Sequence, residues 1–388
     1  EYGPFSVEIE AAPADLTFDP SGPDVQSIPR RPSAEHRSRL LASKTKRGEE
    51  RTTRRRRAGG ALKIAVTEDG LYEVPLKDLT RLFNTPGRAI VGLARSGQLA
   101  LTHRGQHVAW MLSKNGRSLL FWGQGPDSPY ATERIYWLQD GPGTPIEPTG
   151  PPEHAVSQGA GWFTDSLSFE HDLFPATALV DDPADDFFFW DYLFADHPDH
   201  GQKTLTIELP DVAAVEGRAR LEIRLQGATD SGIAGEHHVM VSVNGTYVGD
   251  ARWQGLEPHL LTLDFDQSLL NDGANEVQMA AVLDTVAPYS LVYLDSISMT
   301  YTRLNVARDG QLVTRAEGHE VLTVTGFGSS DILVLDLTDP RLPKNVRGIT
   351  TRPQDSSWSV HIPADDPNGV YVAAETAAFR APAAVLAD

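Results

Sequence analysis

Val239-Met240-Val241-Ser242-Val243-Asn244-Gly245-Thr246-Tyr247-Val248 is the stretch on which the fold turns. Valine at every second position sends Val239, Val241 and Val243 to one face of a strand. Asn244-Gly245 then supplies the strongest short signal for a chain that turns back on itself. A β-hairpin is predicted, and it needs a larger sheet around it, because an isolated hairpin buries too little to be stable.

That sheet is legible on either side. Leu221-Glu222-Ile223-Arg224-Leu225, Leu261-Thr262-Leu263-Asp264-Phe265 and Leu291-Val292-Tyr293-Leu294 read as further strands, and residues 269–277 carry the chain between strands through a polar turn. Residues 162–303 hold many short strands and no long helical period, which is the pattern of a β-sandwich. The expected fold class is all-β, with two to three β domains, a central jelly-roll-like sandwich over 151–303 and one short helix near 75–83. A small β domain is expected over 60–150 and another over 304–388. In the first, Leu62, Ile64 and Val66 alternate, Glu68-Asp69-Gly70 turns the chain, and Leu71 to Val74 is expected to complete a hairpin. A short helix after Pro75 follows from apolar groups three and four apart. Short strands are then expected at Ile90 to Ala94, Leu99 to Thr102, His107 to Met111 and Leu119 to Trp122.

The first 59 residues read differently. Residues 1–20 contain one candidate edge strand, and residues 21–59 lack the large apolar groups that would offset the entropy of ordering, so a basic disordered linker is expected. The net charge of −19 conceals this asymmetry. Residues 30–57 hold 12 Lys/Arg against 3 acids, so 22 of 34 bases face 50 of 53 acids elsewhere. An acidic body argues against nucleic acid as a partner. Arg54, Arg55, Arg56 and Arg57 are a candidate processing site or simply solvated linker. No run approaches the roughly 18 apolar residues of a membrane helix, so no membrane insertion is expected. The chain begins at Glu1 without a signal-like segment, so an export signal is expected to be absent or removed.

With no cysteine among 388 residues, thiolate nucleophiles, disulfides and Cys-ligated metals are excluded. No Gly-x-Ser-x-Gly elbow, Gly-x-Gly-x-x-Gly run or P-loop is present. His197 with His200, and His237 with His238, are candidate zinc ligands, but no third ligand is placed by spacing and solvated histidines are the preferred reading. His237 and His238 are expected on opposite strand faces. Asp181, Asp182, Asp185 and Asp186, and Asp264 with Asp266, are candidate calcium ligands without EF-hand spacing, and solvated loops are preferred. No catalytic residue, metal site or cofactor is assigned, structural calcium aside. Asn244-Gly245-Thr246 matches a glycosylation acceptor that the turn already explains.

Aromatic residues give the remaining candidates. Phe187-Phe188-Phe189-Trp190-Asp191-Tyr192 is expected to alternate, sending Phe188, Trp190 and Tyr192 to one face; with Trp253 these are the candidate ligand-binding or domain-docking residues.

The strands also resemble, as an ordered set, the region preceding the catalytic domain in gingipain-like C25 cysteine peptidases. The likeness rests on Lys63 to Val74, Leu120-Phe121-Trp122-Gly123, Ser128-Pro129-Tyr130 and Ile135-Tyr136-Trp137-Leu138. It continues through Asp186 to Trp190, Val241 to Gly249, Trp253-Gln254-Gly255, Asn275-Glu276-Val277, Leu294 to Tyr301, Val324-Thr325-Gly326-Phe327 and Ile332 to Pro340. The resemblance implies a non-catalytic pro-region or accessory portion of a secreted or cell-surface peptidase. Its partner would be the downstream peptidase domain, which it masks or orients. No residue of that family's catalytic motif lies among the matched positions, so this chain is expected not to be an enzyme. The alternative is a stand-alone carbohydrate-binding sandwich, on fold analogy.

Overall fold

The computed structural model describes residues 60–82, 87–126, 131–151, 159–179 and 187–387. Arg57–Asp388 forms one compact unit. The candidate edge strand in 1–20, the basic segment 21–59 with Arg54 to Arg57, and Asp181, Asp182, Asp185 and Asp186 lie outside the described residues. The described residues are mostly strand, with two α-helices among them, an all-β, sandwich-like architecture. Among the described residues no helix is long and apolar enough to cross a membrane.

The Asn-Gly hairpin forms as read. His237–Val243 pairs antiparallel with Thr246–Trp253, and Asn244 and Gly245 both hold positive φ, 48° and 78°. The Asn244 side chain fastens the turn to the next strand. Its Nδ2 donates to Leu269 O and Asn275 Oδ1, and its Oδ1 accepts from Glu276 N. An amide nitrogen so engaged leaves the glycosylation motif without an available acceptor. The sheet ordered Gln202–Leu209, Gly273–Ala281, His237–Val243, Thr246–Trp253 faces a second sheet ordered Trp162–Glu170, Leu291–Leu304, Arg218–Gly227, Pro258–Asp266. Between them lie Val239, Val241, Val243, Leu221, Ile223, Leu225, Ile297 and Met299, all buried. Each inward row is the alternate set of its strand, as a period of two requires.

The flanking strands form a stack of four sheets. Leu62–Val66 lies between Arg134–Asp140 and Ala384–Ala387, so the last strand of the chain completes the first sheet. The second sheet holds Gly70–Pro75, Ser118–Gly123 and Ala109–Leu112, and packs on the first through Ile64, Tyr72, Leu119 and Phe121. Its other face carries Leu71 and Trp122 against Leu335, Val372 and Ala374 of the third sheet. That third sheet, built on Ile332–Asp336 and Val370–Glu375, packs its opposite face, with Val334 and Ala373, on the fourth through Val324, Val360 and Ile362. Two inner sheets covered on both sides explain why every residue of Ser118–Gly123 is buried and why Leu119 to Trp122 is an unbroken apolar run.

Three local expectations are corrected. Leu62–Val66 and Gly70–Pro75 do not pair; they belong to facing sheets. Asp69 Oδ1 accepts from Gly125 N (2.7 Å) and Tyr72 Oη donates to Glu68 O (2.9 Å), which holds the turn open as an arch. Ile90 to Ala94 is helical within Gly87–Arg95, because Ile90 and Ala94, four apart, are both buried on one side. Short apolar runs do not separate strand from helix. His107 to Met111 is two strands in different sheets, Gln106–His107 and Ala109–Leu112, with buried Val108 at the crossing. The predicted short helix forms as Leu76–Leu82.

Candidate functional site

The candidate aromatic face is not a continuous surface. Phe188–Phe189 pairs with Phe174–Pro175, the chain bends at Trp190, and Asp191–Phe194 pairs with the start of Leu291–Leu304. The bend breaks the expected alternation, so Phe188, Trp190 and Tyr192 do not share one exposed face. Phe189 is buried and rests on Tyr293, ring centroids 5.1 Å apart. Half-buried Trp190 packs partly on the sandwich core and meets His171 edge-on at 5.0 Å. Tyr192 contacts Phe174, His200 and Tyr293, and the Lys203 ammonium sits 5.4 Å from its ring centre while pairing with Asp191 at 2.9 Å. The rings spend their faces on one another.

Trp253 is corrected from candidate surface residue to core. It is 9 % exposed and stacks flat on His259, ring planes 8° apart. Burial holds the His259 imidazole below its ordinary value. Trp253 also contacts His237 at 4.9 Å, and there the fold assembles a polar nucleus at one end of the sandwich. Three loops meet at it: 228–236, 254–257 and 282–290. His237 Nε2 faces two carbonyl oxygens, Gly255 O at 3.0 Å and Thr229 O at 3.2 Å. Carbonyls only accept, so Nε2 carries the proton. In the neutral ring Nδ1 then accepts from the Ser290 hydroxyl at 2.8 Å. The buried Glu236 carboxylate stands 3.8 Å from Nε2 and accepts from Ser231 N (2.6 Å) and Gly255 N (2.7 Å). Burial alone would raise that carboxyl, but the hydrogen bonds from Ser231 and Gly255, with His237 beside it, outweigh it and hold it below the ordinary range.

A serine hydroxyl on an imidazole beside a carboxylate has the members of a nucleophilic triad, but its geometry is that of a joint. Ser290 is 1 % exposed and His237 fully buried, so no substrate atom reaches them. The nucleus satisfies backbone groups that three loops would otherwise bury without partners. Close approach is built in: a methyl group at Gly227 would collide with Gly255 O and lie 2.8 Å from His237 Nε2.

His237 and His238 are therefore not solvated, which corrects that expectation for this pair. His238, on the opposite strand face as read, is also buried, and its ring nitrogens lie 3.0 Å from Asp284 Oδ2 and 3.2 Å from Asp250 Oδ2. Arg252 in turn pairs with Asp284 through both terminal nitrogens. His197 and His200 are half-buried with rings 4.8 Å apart, and His197 Nδ1 accepts from Asp199 N. The calcium candidates Asp264 and Asp266 do not converge on a cation. Asp264 receives Arg220 at 2.8 Å and Asp266 caps the turn at Ser268. Among the described residues no group of three or more His, Asp or Glu is placed to hold a metal. Sequence reasoning missed Glu236 and Ser290, which lie in loops without period. His237 was within reach, since it shares the inward alternation of Val239, Val241 and Val243.

Beside the second and third stacked sheets an apolar cavity of about 360 Å³ is lined by Met111, Leu120, Leu333 and Phe379, with the Lys114–Asp331 ion pair among its polar wall groups.

No protein-family model matches the chain, and no curated protein matches it in sequence. Its fold is similar to that of dimeric latent PorU from Porphyromonas gingivalis, with a TM-score of 0.58 at 14 % identity, over 84 % of this chain and 32 % of that one. The chain thus spans about a third of that protein's length. Parts of it also align with a CBM36-1 domain of a xylanase from the hindgut metagenome of Trinervitermes trinervoides (TM-score 0.23, 13 % identity, 35 % of this chain and 95 % of that one). A beta-porphyranase of glycoside hydrolase family 86 from Bacteroides plebeius aligns similarly (0.24, 13 %, 64 % and 35 %). Scores this low carry no argument.

Proposed function

We propose that this chain is the non-catalytic, all-β N-terminal portion of a secreted gingipain-like C25 cysteine peptidase, packing on its peptidase domain and masking or orienting it. The observation that carries this reading is the fold likeness to latent PorU across both the sandwich and the stacked sheets, over 84 % of the chain. The ordered resemblance from Lys63 to Pro340 supports it independently. The absence of cysteine fits a supporting role, because that chemistry needs a thiolate nucleophile.

The carbohydrate-binding alternative needs a planar ring presented to solvent. Of the two tryptophans singled out from the sequence, Trp253 is enclosed and half-buried Trp190 meets His171 edge-on, which favours packing over sugar stacking at those positions. The test is to mix the chain with the separately produced peptidase domain of the same precursor. Co-elution on gel filtration and a fall in peptidase rate of about tenfold or more are expected. An unchanged rate without co-elution, or a parent gene that encodes no peptidase domain, overturns the reading.

A further inference from the structure

Gly70–Pro75 belongs to a sheet covered on both sides, yet it carries a glutamate in an inward row. Register sets Leu71 beside Trp122, with Ala109 on the next strand, and all three are buried in one cluster with Leu335 and Val372 of the third sheet. Two residues along each strand, on the same face, the next row is Glu73, Leu120 and Met111. Alternation in an inner sheet makes such a position apolar. Here it is a carboxylate.

This row faces the cavity of about 360 Å³. Buried Leu120 and half-buried Met111, Leu333 and Phe379 give the cavity its apolar surface, and Glu73, itself half-buried, stands in the same wall. Every residue of that wall lies in the described segments. The Glu73 backbone N–H donates to Arg380 O at 2.9 Å, but among the described residues its carboxylate makes no hydrogen bond or ion pair. The neighbouring cations are committed elsewhere. The Arg380 guanidinium pairs with Glu68 at 2.7 Å, and Lys114 pairs with Asp331, which also accepts from the Thr376 hydroxyl at 2.8 Å. An ionised carboxylate set among apolar side chains costs stability unless a cation reaches it.

We propose that this cavity binds a small free amine, with its ammonium paired to the Glu73 carboxylate and its apolar body against Met111, Leu120, Leu333 and Phe379. A charge-assisted hydrogen bond is the strong kind, and here it fixes which end of the ligand enters. The volume lies at the lower end of the ligand-pocket range of roughly 300–1,000 Å³, room for one ring on a short chain. An acid is repelled by Glu73, and an alcohol leaves its charge uncompensated. A binding role accounts for a glutamate where packing favours an aliphatic residue, because such groups are kept at a cost to the empty fold. The site stands independently of any peptidase domain.

The test titrates the whole chain with phenethylamine by calorimetry at neutral pH, with 2-phenylethanol, 3-phenylpropionate and a short acetylated lysine peptide as comparisons. Glu73→Gln keeps the shape of the side chain and removes its charge. Saturable phenethylamine binding is expected, about tenfold tighter than that of 2-phenylethanol, with no binding of 3-phenylpropionate. In Glu73→Gln the amine should lose about tenfold in affinity and its preference over the alcohol should vanish, while the melting temperature of the empty chain stays the same or rises. A purely structural glutamate would instead lower the melting temperature and leave the preference intact. The wild-type comparisons stand even if the variant does not fold. No amine binding, a preference that survives Glu73→Gln, a lower melting temperature of that variant, 3-phenylpropionate binding as tight as the amine, or a lysine peptide tighter than phenethylamine overturns the proposal.

Discussion

Arg308 donates to both oxygens of Asp211, from Nε at 2.8 Å and from Nη2 at 2.7 Å. Asp211 lies just beyond the strand Gln202–Leu209 of the sandwich, is almost fully buried and holds φ 57°. Arg308 lies past the end of Leu291–Leu304, where the chain enters the stacked sheets. Arg303 joins them, donating to Asp211 at 3.2 Å and to Asp165 at 2.8 Å. One buried carboxylate thus ties the sandwich to the start of the stacked sheets.

Asp211→Ala should therefore cost more than Arg308→Ala. The first strands Arg303 with half its partners, and about 2–4 kcal/mol is expected. The second removes a half-exposed cation from a carboxylate that keeps Arg303, and about 1 kcal/mol or less is expected. Urea unfolding of both variants checks the order, and equal midpoints would refute it.

Trp253→Ala should destabilise the sandwich by about 3–5 kcal/mol, because it empties a core position beside His237 and His259. Trp190→Ala should cost roughly 1–3 kcal/mol, since that ring is only half-buried. Thermal melts combined with a glycan array separate packing from sugar recognition. Lost glycan binding at unchanged melting temperature would count decisively for the carbohydrate alternative.

The Glu236 carboxyl is held below its ordinary value in the folded chain. The unfolded carboxyl, near about 4.3, takes up its proton first as pH falls. Its contribution to stability is complete above that value and is lost as pH drops through the lower, folded one. The stability gap between the wild type and Glu236→Gln should be constant near neutrality and narrow below about pH 4. A gap that widens toward acid would show that the loop nucleus does not stabilise the ionised form.

Asn244→Ala should cost about 2–3 kcal/mol, through three lost hydrogen bonds and an alanine forced to positive φ. Asn244→Gly, which relieves only the backbone cost, should recover part of this. If the two variants melt together, the backbone contributes nothing at this turn.

The isolated chain should hydrolyse fluorogenic Arg and Lys peptides no faster than buffer. Any rate abolished by a thiol-alkylating reagent would contradict a sequence that contains no cysteine.

How far the residues alone carried the reading depended on the range of the interaction. Asn244-Gly245 was legible because a two-residue turn is decided by the backbone freedom of the residues in it. The sandwich strands were legible because period-two alternation is a local pattern, and the short helix at Leu76–Leu82 for the matching reason at its own period. Choices between distant partners were not legible. Whether Gly70–Pro75 folds back on Leu62–Val66 depends on Arg134–Asp140 and Ala384–Ala387, which take both edges of the first strand. Trp253 could be read as a surface ring until His237 and His259 closed over it. Ile90 and Ala94 gave too short a run to distinguish helix from strand until packing selected one face. Glu236 and His237 are adjacent, but Ser290 reaches them from a loop 53 residues further along the chain. Composition and alternation determined that this chain is built of β-strands and carries no cysteine. Only tertiary packing decided which polar groups meet, because burial, pairing and charge proximity belong to three-dimensional neighbours and leave no period in the sequence.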